Sequence, residues 1–207
     1  MAGSPDVCLS FDDGPDPVST PALLTLLRQH RIRAIFFVTG ERAKRHPRLI
    51  EAMLADGHSI GNHSYSHDNF IMFRSSARLV EEIESTQRVL GAHGLRPRLF
   101  RPPVGILTPR YSKALRQTGL IAVTFSRRAG DRGNRNIRGL AERILRRLQP
   151  GDIVLLHDTA PRRSGDLQLW LNEMEQLISG IGQRHLAIVP METLIGQPVM
   201  TRCDPVG

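Results

Sequence analysis

Two aspartates stand side by side in "LSFDDGPDP" (residues 9–17), where an apolar run meets a turn. Adjacent carboxylates repel, and a turn needs only one; Asp16 alone would serve an Asx-turn. Further on, "NHSYSH" sets His63 and His67 four residues apart, a spacing at which two imidazoles can share a cation. The zinc-protease pattern is not met, because Ser64 stands where a glutamate should follow the first histidine. A third ligand has to come from elsewhere, and the Asp12–Asp13 corner offers one. Successive strand side chains face opposite ways, so at a strand end the two carboxylates can diverge. One would join His63 and His67 on a cation and stay ionised, leaving the other free to accept a proton. A divalent ion with three protein ligands and open positions brings the pKa of bound water to about 7, which suits hydrolysis at neutral pH.

Four further residues extend the pattern. Arg101 in "FRPPVG" precedes the rigid Pro102–Pro103 pair and can hold the free aspartate ionised, lowering its pKa by about one to three units. In "LLH", Leu155 and His157 fall on the same strand face, which sets an apolar patch beside an imidazole. Asp131 follows another apolar run.

These residues need a scaffold that gathers strand ends. Apolar runs at 7–11, 34–38, 58–63, 98–100, 120–125, 152–157 and 186–189 read as strands, each short and with little alternation. Helices are expected between them: one capped by Thr20 with Pro21 in its first turn, one through Leu49 to Leu54, then 75–92, one after Pro109, one through Leu140 to Leu148, and 167–181. Alternation of this kind gives an α/β fold with a parallel sheet. Seven units in 207 residues fall short of the roughly 250 of an eight-unit barrel, so a distorted or incomplete (β/α) barrel is expected, ahead of an open doubly wound sheet. Asp12, Asp13, His63, His67, Arg101, Asp131 and His157 all then lie at carboxyl ends of strands, where such barrels carry their active sites.

Composition sets the outer limits. With 40% hydrophobic and 23% charged residues, and no linker or repeat, one catalytic domain over 1–207 is expected. No apolar stretch approaches the roughly 18 residues of a membrane span. The start, "MAGSPDV", has neither a basic nor an apolar leader region, leaving a cytoplasmic protein or an envelope or secreted one whose leader is missing. A net charge of +8 does not by itself indicate nucleic acid: the basic residues are nearly all arginine, they are spread along the chain, and only 5% of residues are aromatic. Cys8 and Cys203 make no disulfide framework.

"SFDDGP", "HSYSH", "FRPPVG" and "LLH", in this order and spacing, resemble the NodB-homology polysaccharide deacetylases, carbohydrate esterase family 4, from residue 7 to about 190. The resemblance implies a distorted (β/α) barrel with one divalent metal, most often zinc, with cobalt, nickel or manganese as substitutes. It implies removal of N-acetyl groups from an acetylated glycan such as chitin oligomers or peptidoglycan, or of O-acetyl groups from xylan. By position, Asp12 would be the base and Asp13, His63 and His67 the metal ligands. Arg101 would orient the base, His157 would be the acid and Asp131 its assistant. The backbone N–H of Val104 would face the oxyanion, and Leu155 would line the acetyl pocket. Two positions depart from the family: Arg132 replaces a tryptophan and Val104 a tyrosine, so aromatic walls of the groove are missing there. The rival readings are a non-haem iron oxygenase, which uses the same donor set, a non-catalytic glycan-binding relic, and a deformylase or deacetylase of a lipid-linked amino sugar.

Overall fold

The computed structural model describes residues 6–163 and 165–202; Cys203 lies outside them. The chain runs β1 (Asp6–Asp12), α1 (Ser19–Gln29), β2 (Ile35–Val38), α2 (Gly40–Arg45), α3 (Pro47–Ala55), β3 (Ser59–Asn62), α4 (Ser76–Gly91), β4 (Leu95–Pro97) and β5 (Leu99–Phe100). It continues through α5 (Pro109–Thr118), β6 (Ile121–Ala122), β7 (Arg127–Arg128), α6 (Leu140–Leu145), β8 (Ile153–His157), α7 (Asp166–Gln183), β9 (Ala187–Ile188), α8 (Met191–Ile195) and β10 (Met200–Arg202).

Seven strands pair in the order β6-β5-β3-β2-β1-β8-β7, every pair parallel. Followed from β1 in both directions, this is the chain order of a barrel, but no ladder among the described residues joins β6 to β7. The sheet is therefore a curled half-barrel. The strand expected at 120–125 is split by this opening. The Val123 N–H still donates to Phe100 O, whereas the Ser126 N–H donates to Ile153 O, so Thr124 and Phe125 cross the seam. The run at 186–189 is not the seventh strand: β9 pairs only with the start of β1, at Asp6 and Val7. β4 and β10, neither expected, form a separate antiparallel ribbon.

Side chains alternate across β1 and define two layers. Val7, Leu9 and Phe11 are buried with Leu23 and Leu27 of α1, Ile144 of α6 and Leu177 of α7. Burying each such side chain contributes about 1.5–3 kcal/mol. Cys8 faces the other way, with Ile35, Phe37, Leu99 and Met191 of α8. Burial pushes its thiol up to about 12, an inert core group. Ser10 and Asp12 share that face, so the interior turns polar toward the carboxyl ends of the strands.

The cap of α1 differs from the one expected. Asp16 Oδ1 accepts from the Val18 and Ser19 N–H groups at 2.9 and 3.2 Å, while Thr20 lies inside the helix. Thr20 Oγ1 instead donates to Asp158 Oδ2 at 2.6 Å, and Ser19 Oγ donates to Asp158 Oδ1 at 2.7 Å. Asp158 is fully buried beneath Gly14, where an added Cβ would come within 2.5 Å of its Oδ2; this contact explains the glycine after the two aspartates. Burial pushes the Asp158 carboxyl up to about 7, against the two hydroxyl hydrogen bonds. A raised folded pKa means that the native state holds a proton the unfolded chain has released, so stability falls as pH rises between the two values. Denaturant titrations from pH 4 to 7 are expected to show wild type losing ground to Asp158→Asn by up to about 1.4 kcal/mol per pH unit; parallel pH curves would contradict this.

Candidate active site

The strand ends meet in a cleft of about 610 Å³. Asp12, Asp13, His63, His67, Val104, Asp131, Leu155 and His157 line it, and Arg101 lies fully buried behind Asp12. All the site residues expected from the sequence are thus brought together.

Asp12 is the last residue of β1 and Asp13 the first beyond it, at φ 72° in the left-handed region. The two carboxylates diverge through this backbone turn, not through strand alternation as expected. Asp13 Oδ1 lies 3.4 Å from His63 Nε2 and 3.0 Å from His67 Nε2, yet it is a buried atom with no hydrogen-bonding partner. The three ligating atoms lie within 4.8 Å of one another. His63 Nδ1 is 2.7 Å from Arg101 O, which can only accept, so the ring proton sits on Nδ1 and Nε2 turns a lone pair to the site. An orphaned carboxylate oxygen and a fixed imidazole lone pair fit a divalent cation. Before a cation binds, burial alone would raise the Asp13 carboxyl, but imidazole N–H groups facing it hold it well below the usual range; burial would lower His67, but Asp13 keeps it raised, and a cation would take the place of those protons.

Asp12 faces a different partner. Arg101 Nη1 donates to Asp12 Oδ1 at 2.7 Å and to Ser10 Oγ at 2.8 Å. The rest of the guanidinium seals the barrel seam: Nη2 donates to Thr124 O at 3.1 Å and Nε to Val123 O at 3.4 Å, over the Phe37 ring at 4.1 Å. Asp12 Oδ2 stays 3.7 Å from His63 Nε2, beside the cation site but turned from it. Across the cleft, His157 Nδ1 donates to Asp131 Oδ2 at 2.7 Å. Burial lowers the His157 pKa, but Asp131 more than compensates and raises it to about 9, so the ring is protonated at neutral pH. Asp131 follows β7 and is itself buried.

Several supporting residues escaped the sequence reading. Glu82 of α4 is buried, and its Oε2 accepts from the N–H groups of Tyr65 and Ser66 at 2.9 and 2.8 Å. It fixes the loop between the two histidines. In sequence it looks like a surface glutamate beside Arg78, with which it also pairs. Asn62 Oδ1 accepts from Ser64 N–H, and Asn134 Nδ2 donates to His157 O and Thr159 O. Phe125, on the seam, lines the cleft against Gly105 and supplies a ring where Val104 and Arg132 supply none. Among the described residues, six of the eight non-glycine positions with positive φ (Asp13, Ser64, His67, Val104, Arg132 and Asn134) cluster around this cleft, where packing must hold conformations that are costly alone. Glu82→Ala is expected to weaken zinc binding by about 10–100-fold, measured by competition with a chelating dye; unchanged affinity in the folded variant would show that the loop holds its shape without it.

A family model described as polysaccharide deacetylase matches residues 2–123. A peptidoglycan-N-acetylglucosamine deacetylase of Bacillus cereus is 35% identical over 160 residues, 76% of this chain and 75% of that protein. A chitooligosaccharide deacetylase of Sinorhizobium fredii is 37% identical over 161 residues, 77% of this chain and 74% of that one. Among solved structures, the Bc1960 peptidoglycan N-acetylglucosamine deacetylase superposes with a TM-score of 0.83 at 30% identity, covering 95% of this chain and 90% of that one. With the matched region holding both the aspartate pair and the two histidines, the chain belongs to the polysaccharide deacetylase family.

Proposed function

We infer that this polysaccharide deacetylase removes the N-acetyl group from an N-acetylglucosamine-type sugar in a glycan chain, with zinc on Asp13, His63 and His67. The observation that carries the reading is the separation of two adjacent carboxylates: Asp13 faces two imidazoles, and Asp12 faces Arg101. Two nitrogen donors and one oxygen in a compact set suit zinc, and accept cobalt, nickel or manganese. When bound, the cation supplies Lewis acidity to the acetamide carbonyl and to the water beside it.

The protein's own groups do the rest. Asp12, held in place by Arg101, takes the proton of the attacking water. The Val104 N–H donates to the developing oxyanion, a contact worth about 3–4 kcal/mol. Leu155 offers an apolar surface to the acetyl methyl group. His157 delivers its Nε2 proton to the departing nitrogen, while Asp131 steadies the charged ring. A histidine held protonated to about pH 9 favours an amide over an ester substrate, because the C–N bond breaks only once the nitrogen is protonated. The same group argues against the oxygenase and relic readings, in which it has no task.

Acetate release from chitin oligomers and peptidoglycan fragments tests the reading. Asp12→Asn should keep its metal and lose about 10²–10⁴-fold in kcat, whereas His63→Ala should lose the metal; an Asp12→Asn enzyme at wild-type rate would overturn the assignment of the base. Asp131→Asn should move the alkaline limb of the kcat profile down by about one to three pH units, since His157 loses the charge that keeps it protonated. An unmoved limb would assign the acid elsewhere.

A further inference from the structure

Exposed arginines rim the cleft. Arg128, Arg132, Arg135 and Arg162 line it, all exposed, and none has a carboxylate partner among the described residues. Arg42, the fifth arginine of the lining, is taken up by Asp16; what sets the other four apart from arginines scattered over the surface is that they gather around one cleft. The acids within the cleft are already engaged, Asp12 by Arg101, Asp131 by His157 and Asp13 by the two histidines. Four unpaired cations beside a site for a dication repel one another and that ion. The arrangement is electrostatically sensible when an anion enters with the substrate.

The rim is also rigid. The Asp131 carbonyl accepts from the Arg135 and Asn136 N–H groups, both at 2.9 Å. Asn134 ties the same loop to His157 and Thr159, so Arg132 and Arg135 project from a fixed turn. Arg128 stands beside the Phe125 ring, its guanidinium carbon 5.9 Å from the centroid. A guanidinium presents a planar fork of donors that matches a carboxylate or phosphate bidentately. We propose that this rim selects acetylated glycans carrying oxyanions, carboxylate or phosphate, on sugars flanking the one that reacts. The proposal rests on the deacetylase reading and narrows its substrate class: charge at Arg132 and its neighbours takes over selection where aromatic walls are reduced.

The test compares three tetrasaccharides of equal length: neutral chitin, one with carboxylate-bearing alternate sugars, and one with phosphate-bearing sugars. Calorimetric affinities are measured on zinc-loaded Asp12→Asn protein, and acetate release on the wild type. At about 50 mM salt, affinity for one or both anionic ligands should exceed that for chitin about tenfold, the favoured arm naming the oxyanion. The preference should shrink to below about threefold at 0.5 M salt and in a variant further carrying Arg132→Gln, Arg135→Gln and Arg162→Gln. Equal affinities, or a preference that neither salt nor the triple substitution moves, would overturn the proposal. Acetate release separates the two ideas: salt-sensitive anion preference without acetate from any glycan upholds the rim and defeats the deacetylase reading. Release with equal affinities does the reverse.

Discussion

A single buried guanidinium organises this active site. Arg101 has no exposed surface, and burying a charge is expensive unless it is fully hydrogen-bonded. Here its donors are met by Asp12, Ser10 and the carbonyls of Val123 and Thr124, which the open seam of the half-barrel leaves without strand partners. Its side chain thus closes the fold and holds the Asp12 carboxylate, and its backbone carbonyl sets the tautomer of His63. Barrel closure, the proposed base and a proposed metal ligand are coupled through one residue.

This coupling explains how two neighbouring aspartates come to differ. Their chemistry is identical, and only their partners separate them: a permanent cation for Asp12, a pair of imidazoles for Asp13. The left-handed turn at Asp13 makes the separation, and Gly14, pressed on Asp158, allows the chain to leave in that direction. On the far side, Asp131 keeps His157 protonated, so a cationic ring faces the Asp12 carboxylate across the cleft. In the proposed reaction, water activation would fall to Asp12 and leaving-group protonation to His157.

Much of this was legible in the residue order. Short, continuously apolar runs identified a parallel sheet, and polar residues following those runs marked one end of it, because strand ends and cleft coincide in such folds. What stayed hidden depended on distant partners. The run at 120–125 looks like one strand because Val123 and Phe125 are apolar; it is broken at the seam, where Arg101 donates to the Val123 and Thr124 carbonyls. Thr20 has the chemistry of a cap, but Asp16 reaches the helix start first and Thr20 turns to Asp158. Glu82 resembles any helical surface glutamate, since the two N–H groups it holds lie 17 and 16 residues earlier in the chain. The arginine rim reads in the sequence as general basicity, and takes on meaning only when the cleft gathers Arg128, Arg132, Arg135 and Arg162.

If adjacent carboxylates divide between metal and proton, anomalous diffraction from a crystal of the zinc-loaded protein should show one ion bonded at about 2.0–2.2 Å to an Asp13 oxygen and to Nε2 of His63 and His67. Asp12 should lie outside the coordination shell, still paired to Arg101. An ion ligated by Asp12, or seated away from the two histidines, would mean that the carboxylates do not divide in this way.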